Sequence, residues 1–120
     1  MPQDVVIVSG WIRVDGARRD AVLAEGAQLM VDTRTQKGCL DYVWSADPTD
    51  PERIYVYERW ASQEALEGHF ASEPFVNMRT AIAAHGITGL DVSKHRVDLS
   101  EGVYDPTGTP RADFYSESDG

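Results

Sequence analysis

The chain has 120 residues, 42% of them hydrophobic, and a formal net charge of −9. That length suits one small domain whose core gains from association with a second copy. The negative charge argues against nucleic acid and anionic membrane surfaces as partners, and a single cysteine, Cys39, leaves no intrachain disulfide and no cysteine-based metal cluster.

Residues 5–14 (VVIVSGWIRV) are rich in β-branched side chains and predict a strand. Its first half is apolar on both faces, so a central or doubly covered position is expected. Gly10 in mid-strand predicts a bulge or a close approach by another segment. Trp11 and Arg13 alternate with Ile12 and Val14, which places them on a face open to a partner. The start, MPQDVVIVSGW, carries no basic leader, and its apolar run breaks at Ser9 and Gly10. The expectation is a cytoplasmic protein without a signal peptide or membrane span.

Residues 17–35 contain no proline and predict a helix, with Leu23, Ala24, Ala27, Met30 and Val31 as its core stripe. Gln36-Lys37-Gly38 reads as its stop. In residues 39–46, alternation puts Leu40, Tyr42 and Trp44 on one face. A loop with Pro48 and Pro51 leads to residues 53–60, where Ile54, Val56, Glu58 and Trp60 face one way and Tyr55, Tyr57 and Arg59 the other. The two segments form an antiparallel hairpin.

Ser62 caps a short helix on which Ala65, Leu66, His69 and Phe70 share a face, and Ser72 caps another with Phe75, Met78, Ile82 and His85 aligned. Pro74 is tolerated in the first turn, and Gly86 ends the helix. Residues 90–97 form a polar edge strand. The order βαββαβ predicts an α+β, ferredoxin-like domain over residues 1–98, with a four-stranded antiparallel sheet and helices on one face only. The bare face predicts a homodimer. Residues 98–120 hold six acids against Arg111, and residues 99–120 read as a loosely packed acidic tail that the fold does not need.

Thr35-x-x-Gly38-Cys39-Leu40-x-Tyr42, Tyr57-Glu58-x-Trp60-x-Ser62-x-Glu64-Ala65-Leu66, His69 and Ser72-x-x-Phe75 together resemble the antibiotic biosynthesis monooxygenase (ABM) domain family over about residues 4–97. The resemblance implies the dimeric α+β barrel fold. It also implies a cofactor-independent monooxygenase that acts with O2 on a small aromatic substrate of quinol, phenol or anthrone type. The alternative is a non-oxidative small-aromatic binding protein or an isomerase on the same barrel. The haem-degrading branch is disfavoured, because Val76, Asn77, Met78 and Arg79 stand where it carries an axial histidine, and Ser9 and Gly10 where it carries an asparagine.

His69 is the sharpest catalytic candidate: an imidazole on an apolar helix face, able to take a proton near neutral pH. Its match to the family's histidine strengthens that role, against the plainer reading of a satisfied core histidine. Glu58 is the second candidate, a carboxylate among apolar neighbours that must be paired or shifted in pKa. It would orient His69 or a substrate hydroxyl, or else bond structurally to backbone or to Arg34. Tyr42, Trp44, Trp60, Phe70, Phe75 and Met78 are the expected walls of a flat aromatic pocket. Cys39 reads as a small buried hydrophobe. No metal site is expected, since the three histidines lie on different elements.

Overall fold

The computed structural model describes residues 4–116. Strand β1 (Val5–Val14) is followed by helix α1 (Arg19–Arg34), β2 (Cys39–Ala46), β3 (Arg53–Trp60), α2 (Gln63–Phe70), α3 (Glu73–His85) and β4 (Ile87–Val97). The strands form one antiparallel sheet in the order β2-β3-β1-β4. This is the expected ferredoxin-like α+β arrangement. β1 is central, which explains its apolar residues on both faces: Val6, Val8, Ile12 and Val14 are buried toward the helices, while Ile7 and Trp11 face the bare side.

Gly10 marks a close approach. Its φ is 152°, and a Cβ there would lie 1.9 Å from the Asp91 carbonyl oxygen of β4. Only glycine lets the edge strand come this near at this backbone angle. β4 begins earlier than its polar composition suggests, at Ile87, and is an edge strand as expected.

On β3 the alternation is complete. Ile54, Val56, Glu58 and Trp60 are buried, and Tyr55 and Tyr57 are exposed. On β2 it is not. The register shifts between Cys39 and Asp41, and this irregularity turns Leu40 out to solvent while Tyr42 stays buried.

α1 departs further from expectation. Its buried residues are Val22, Gly26, Met30 and Thr33, and Ala24, Ala27 and Val31 are exposed. The helix is rotated by about one residue, 100°, relative to the stripe read from the sequence. The cause is Gly26: a Cβ there would sit 3.2 Å from Met78 Cε of α3. Helix packing is therefore made through a missing side chain, which a search for apolar residues overlooks. His85 of α3 also pairs with Glu25 of α1.

The segment after β4 is mostly exposed and bonds largely within itself. Tyr104 bridges to Pro110, and Asp105 Oδ1 accepts hydrogen bonds from the Thr107 and Thr109 backbone N–H groups at 2.9 and 3.1 Å. Arg111 pairs with Asp113 at 2.6 Å, and the Glu101 carboxylate accepts from the Tyr115 and Ser116 backbone. Val103, Tyr104 and Phe114 remain exposed. The radius of gyration, 16.7 Å, exceeds the roughly 14 Å of a compact chain this long. Residues 117–120, the end of the expected tail, lie outside the described residues.

Candidate active site

The site is built where β3 runs into α2. Ala61 is the link, and its N–H donates to the Gly38 carbonyl at 2.8 Å. Gly38, at φ 81°, lies so near α2 that a Cβ would meet the Ala65 Cβ at 2.4 Å. Ser62 Oγ accepts from the Ala65 N–H at 3.1 Å and starts α2. His69 then lies one turn beyond Ala65, against the sheet.

His69 is 1% exposed and enclosed by rings. Trp60 stacks on it at 4.6 Å between centroids, and Phe75 and Tyr42 meet it edge-on at 5.2 and 5.4 Å. Its orientation is fixed by a chain of bonds. Gln36 Nε2 donates to Ser72 Oγ at 2.9 Å, and Ser72 Oγ donates to the His69 carbonyl at 2.6 Å. Gln36 Oε1 is thereby turned to accept from His69 Nδ1–H at 2.9 Å. Nε2 is left as a lone pair with no hydrogen bond, 3.9 Å from Glu58 Oε1.

Glu58 does not bond to Arg34, which instead donates to the Tyr42 carbonyl at 2.8 Å. Its partner is the Trp60 indole: Nε1–H donates to Oε1 at 3.0 Å. Burial pushes the Glu58 carboxyl up to about 7, against the opposing pull of that N–H. Burial likewise pushes His69 down to about 4. At neutral pH the imidazole is therefore uncharged and Glu58 is poised between its two forms, so their contact is not an ion pair. Burial also raises the Tyr42 hydroxyl, which keeps its proton. The Cys39 thiol is raised by burial and is no nucleophile.

A cleft of about 710 Å³ lies between the sheet and α2 and α3. Its floor is Val8, Ile12 and Val56, and its helix wall includes Phe70, Phe75 and Ile82. Four polar side chains reach it: Glu58, Trp44, Arg79 and Thr80. The Trp44 indole Nε1–H is buried there without a hydrogen-bond partner, and the Arg79 guanidinium lies 5.7 Å from the Phe75 ring centroid.

Of the residues read from the sequence, the cleft brings together Glu58, Trp44, Phe70 and Phe75. Phe70, expected on a buried face, is half exposed because the cleft opens beside it. His69, Trp60 and Tyr42 form a second layer around Glu58, and Met78 packs against Gly26 instead. His69 borders a different surface depression, shared with Gln36, Gly38 and Ser72. Sequence reasoning missed Arg79, although it follows Phe75 by four positions and so shares its helix face. It also missed Gln36, whose loop position gave no signal. Among the described residues, no group of three His, Cys, Asp or Glu side chains is placed to hold a metal ion.

The sequence pattern of the antibiotic biosynthesis monooxygenase family matches residues 5–81, which span β1 to α3. The chain belongs to the ABM family. The ABM assignment agrees with the fold of solved structures. A candidate antibiotic biosynthesis monooxygenase from Chloroflexus aurantiacus is 24% identical, with a TM-score of 0.66, over 82% of this chain and 97% of that one. Another from Caulobacter crescentus is 22% identical, with a TM-score of 0.67, over 83% and 93%. An uncharacterized protein of Synechocystis, sll1783, is 26% identical over 72 residues, 60% of this chain. The present chain spans about half, 49%, of that relative's length. The ABM pattern ends at residue 81, within α3. No helix among the described residues is long and apolar enough to cross a membrane.

Proposed function

We propose that this ABM protein is a monooxygenase that takes a small phenol, quinol or anthrone-type aromatic into the cleft, deprotonates it with Glu58, and lets the resulting anion reduce O2 without a bound cofactor. The observation that carries this reading is a carboxylate held near pKa 7 at the wall of an apolar cleft. A general base works best when its pKa lies near the operating pH. Glu58 Oε1 is engaged by Trp60, and Oε2 has no hydrogen-bond partner among the described residues. Oε2 is the oxygen left for the substrate.

For an anthrone-type substrate the balance is simple: the ring methylene and one O2 become a ring carbonyl and one water. Glu58 takes the first proton and leaves a carbanion delocalised onto the ring oxygen. The carbanion passes one electron to O2, and the radical pair combines to form the C–O bond of a peroxide. Glu58 returns its proton to the peroxide, then takes the second C–H proton as the carbonyl forms and the O–O bond breaks; the departing hydroxide takes that proton from Glu58 and leaves as water. Carbon loses four electrons and O2 gains them. Trp44 and Arg79, both at the cleft, are the donors this reading assigns to the developing oxyanion. His69 stays a neutral ring behind Glu58 and leaves the proton on the carboxyl, since its value of about 4 lies well below the carboxyl's value of about 7.

Oxygen uptake tests this directly. With anthrone or hydroquinone in metal-free buffer, the protein should consume O2 in proportion to quinone formed. Binding of these compounds with no uptake above buffer would identify a non-oxidative binding protein instead.

The working unit in this reading is a homodimer joined sheet to sheet. On the bare face Trp11 pairs with Tyr55, Tyr57 lies opposite Val43, and the Arg53 guanidinium sits 5.2 Å from the Trp11 ring and 5.8 Å from the Tyr55 ring. Such aromatic and arginine residues are enriched at interfaces. Light scattering at micromolar concentration should give twice the chain mass of 13.3 kDa; a clean monomer would remove the dimer.

A further inference from the structure

The cleft does not end at Phe70. A second chamber of about 820 Å³ continues past that ring toward the edge of the sheet, and Val8, Phe70 and Val92 line both. Its far side carries Lys94 and Arg96.

Register fixes their relation to the site. Glu58 pairs with Val8 across β3 and β1, and Val8 pairs with Lys94 across β1 and β4. Trp60, Val6 and Arg96 form the next row. Glu58, Val8 and Lys94 are thus one straight cross-strand row on the helix side of the sheet. Two strand spacings separate its ends, roughly 10 Å. That is the span between opposite ends of a fused two-ring aromatic.

Both cations are exposed, and neither forms an ion pair or hydrogen bond with another described residue. Unpaired neighbouring cations are notable in a chain of net charge −9. They alternate on one strand face, so their heads can close on a single anion. Gln63 faces them from α2 as a further donor, and Asp4 and Glu67 also line the chamber. The acids would reject an anion placed at random, but a rigid ligand anchored in the first cleft directs its charge to the strand side.

Building on the function proposed above, we infer that the substrate is a fused-ring phenolic carboxylate. Its hydroxyl end meets Glu58, its ring lies beside Phe70, and its carboxylate is held by Lys94 and Arg96 in the second chamber. The strand pair therefore selects the substrate, and Glu58 acts on it.

Affinity tests this apart from turnover. The full chain is titrated with 6-hydroxy-2-naphthoate and with 2-naphthol, followed by ligand fluorescence. The naphthoate should bind about ten-fold tighter at low salt, the range expected for hydrogen bonds to charged groups. The ratio should fall at high salt and approach one in a Lys94→Gln, Arg96→Gln double variant whose circular dichroism matches the parent. Each single variant should give an intermediate ratio. Equal affinities in the parent, or an undiminished ratio in the double variant, would overturn the carboxylate site and leave the aromatic cleft standing. Failure of both probes to bind would overturn the aromatic cleft, and this inference with it.

Discussion

Replacing Glu58 by glutamine should lower turnover by about 10²–10⁴, the usual contribution of a general base, with substrate affinity changed only a few-fold. Glutamine keeps the shape and still accepts the Trp60 N–H, but it cannot take a proton. The parent should show kcat/KM rising with pH and levelling above about 7, the value to which burial moves this carboxyl. The variant should lose that limb. Stability carries a second signature. Folded Glu58 holds its proton up to about 7 where the unfolded residue releases it near 4.5. Its contribution is therefore fully present in acid and is lost as pH rises through that window. His69 acts in the opposite sense. Its folded value of about 4 lies below the ordinary 6.5, so its contribution is present above 6.5 and is lost as pH falls toward 4. The two slopes offset one another in the parent. In Glu58→Gln only the histidine slope remains, so melting temperature should rise with pH between about 4 and 6.5 more steeply than in the parent. A Glu58→Gln protein with parental turnover would remove the base from the mechanism.

Trp60→Ala should destabilise the domain by about 3–5 kcal/mol, the range for deleting a buried tryptophan, and lower the melting temperature by on the order of 10–20 °C. Trp60 is fully buried at 0% exposure, stacks on His69, and donates to Glu58. Its loss opens a cavity and also strips the carboxylate of its hydrogen bond. Trp60→Phe separates the two effects. It keeps most of the packing and removes only the N–H that favours the charged form. Its melting point should fall far less, while the pH limb of kcat/KM moves to higher pH. A Trp60→Ala melting point within a few degrees of the parent would show that the ring does not hold this corner together.

What could be read from the chain follows from where each signal resides. β3 announced both its inner and outer faces, because strict alternation over eight residues allows one register. Ser62 and Ser72 announced the starts of α2 and α3, because a cap depends on the local backbone alone. Leu40 misled, because an irregularity inside β2 shifts the period and leaves no mark in composition. α1 misled for a related reason: its contact surface is centred on Gly26, and an absent side chain has no hydrophobicity to count. At the site, the sequence singled out His69 and Glu58 but ranked them by residue type. The order of the layers depends on tertiary placement, with Glu58 lining the cleft and His69 enclosed behind it. The row from Glu58 through Val8 to Lys94 was beyond reach, since it joins three strands distant in the chain.

The poised carboxyl of Glu58 is the centre of the proposed chemistry, and its titration can be observed without any substrate. A carbon-13 NMR titration of glutamate-labelled protein, with the Glu58 side-chain carboxyl signal assigned by its absence from Glu58→Gln, measures it. A midpoint near 7 is expected for this signal. A midpoint near the ordinary 4.5 would show a solvated carboxylate, and would contradict its role as the base poised in a dry cleft.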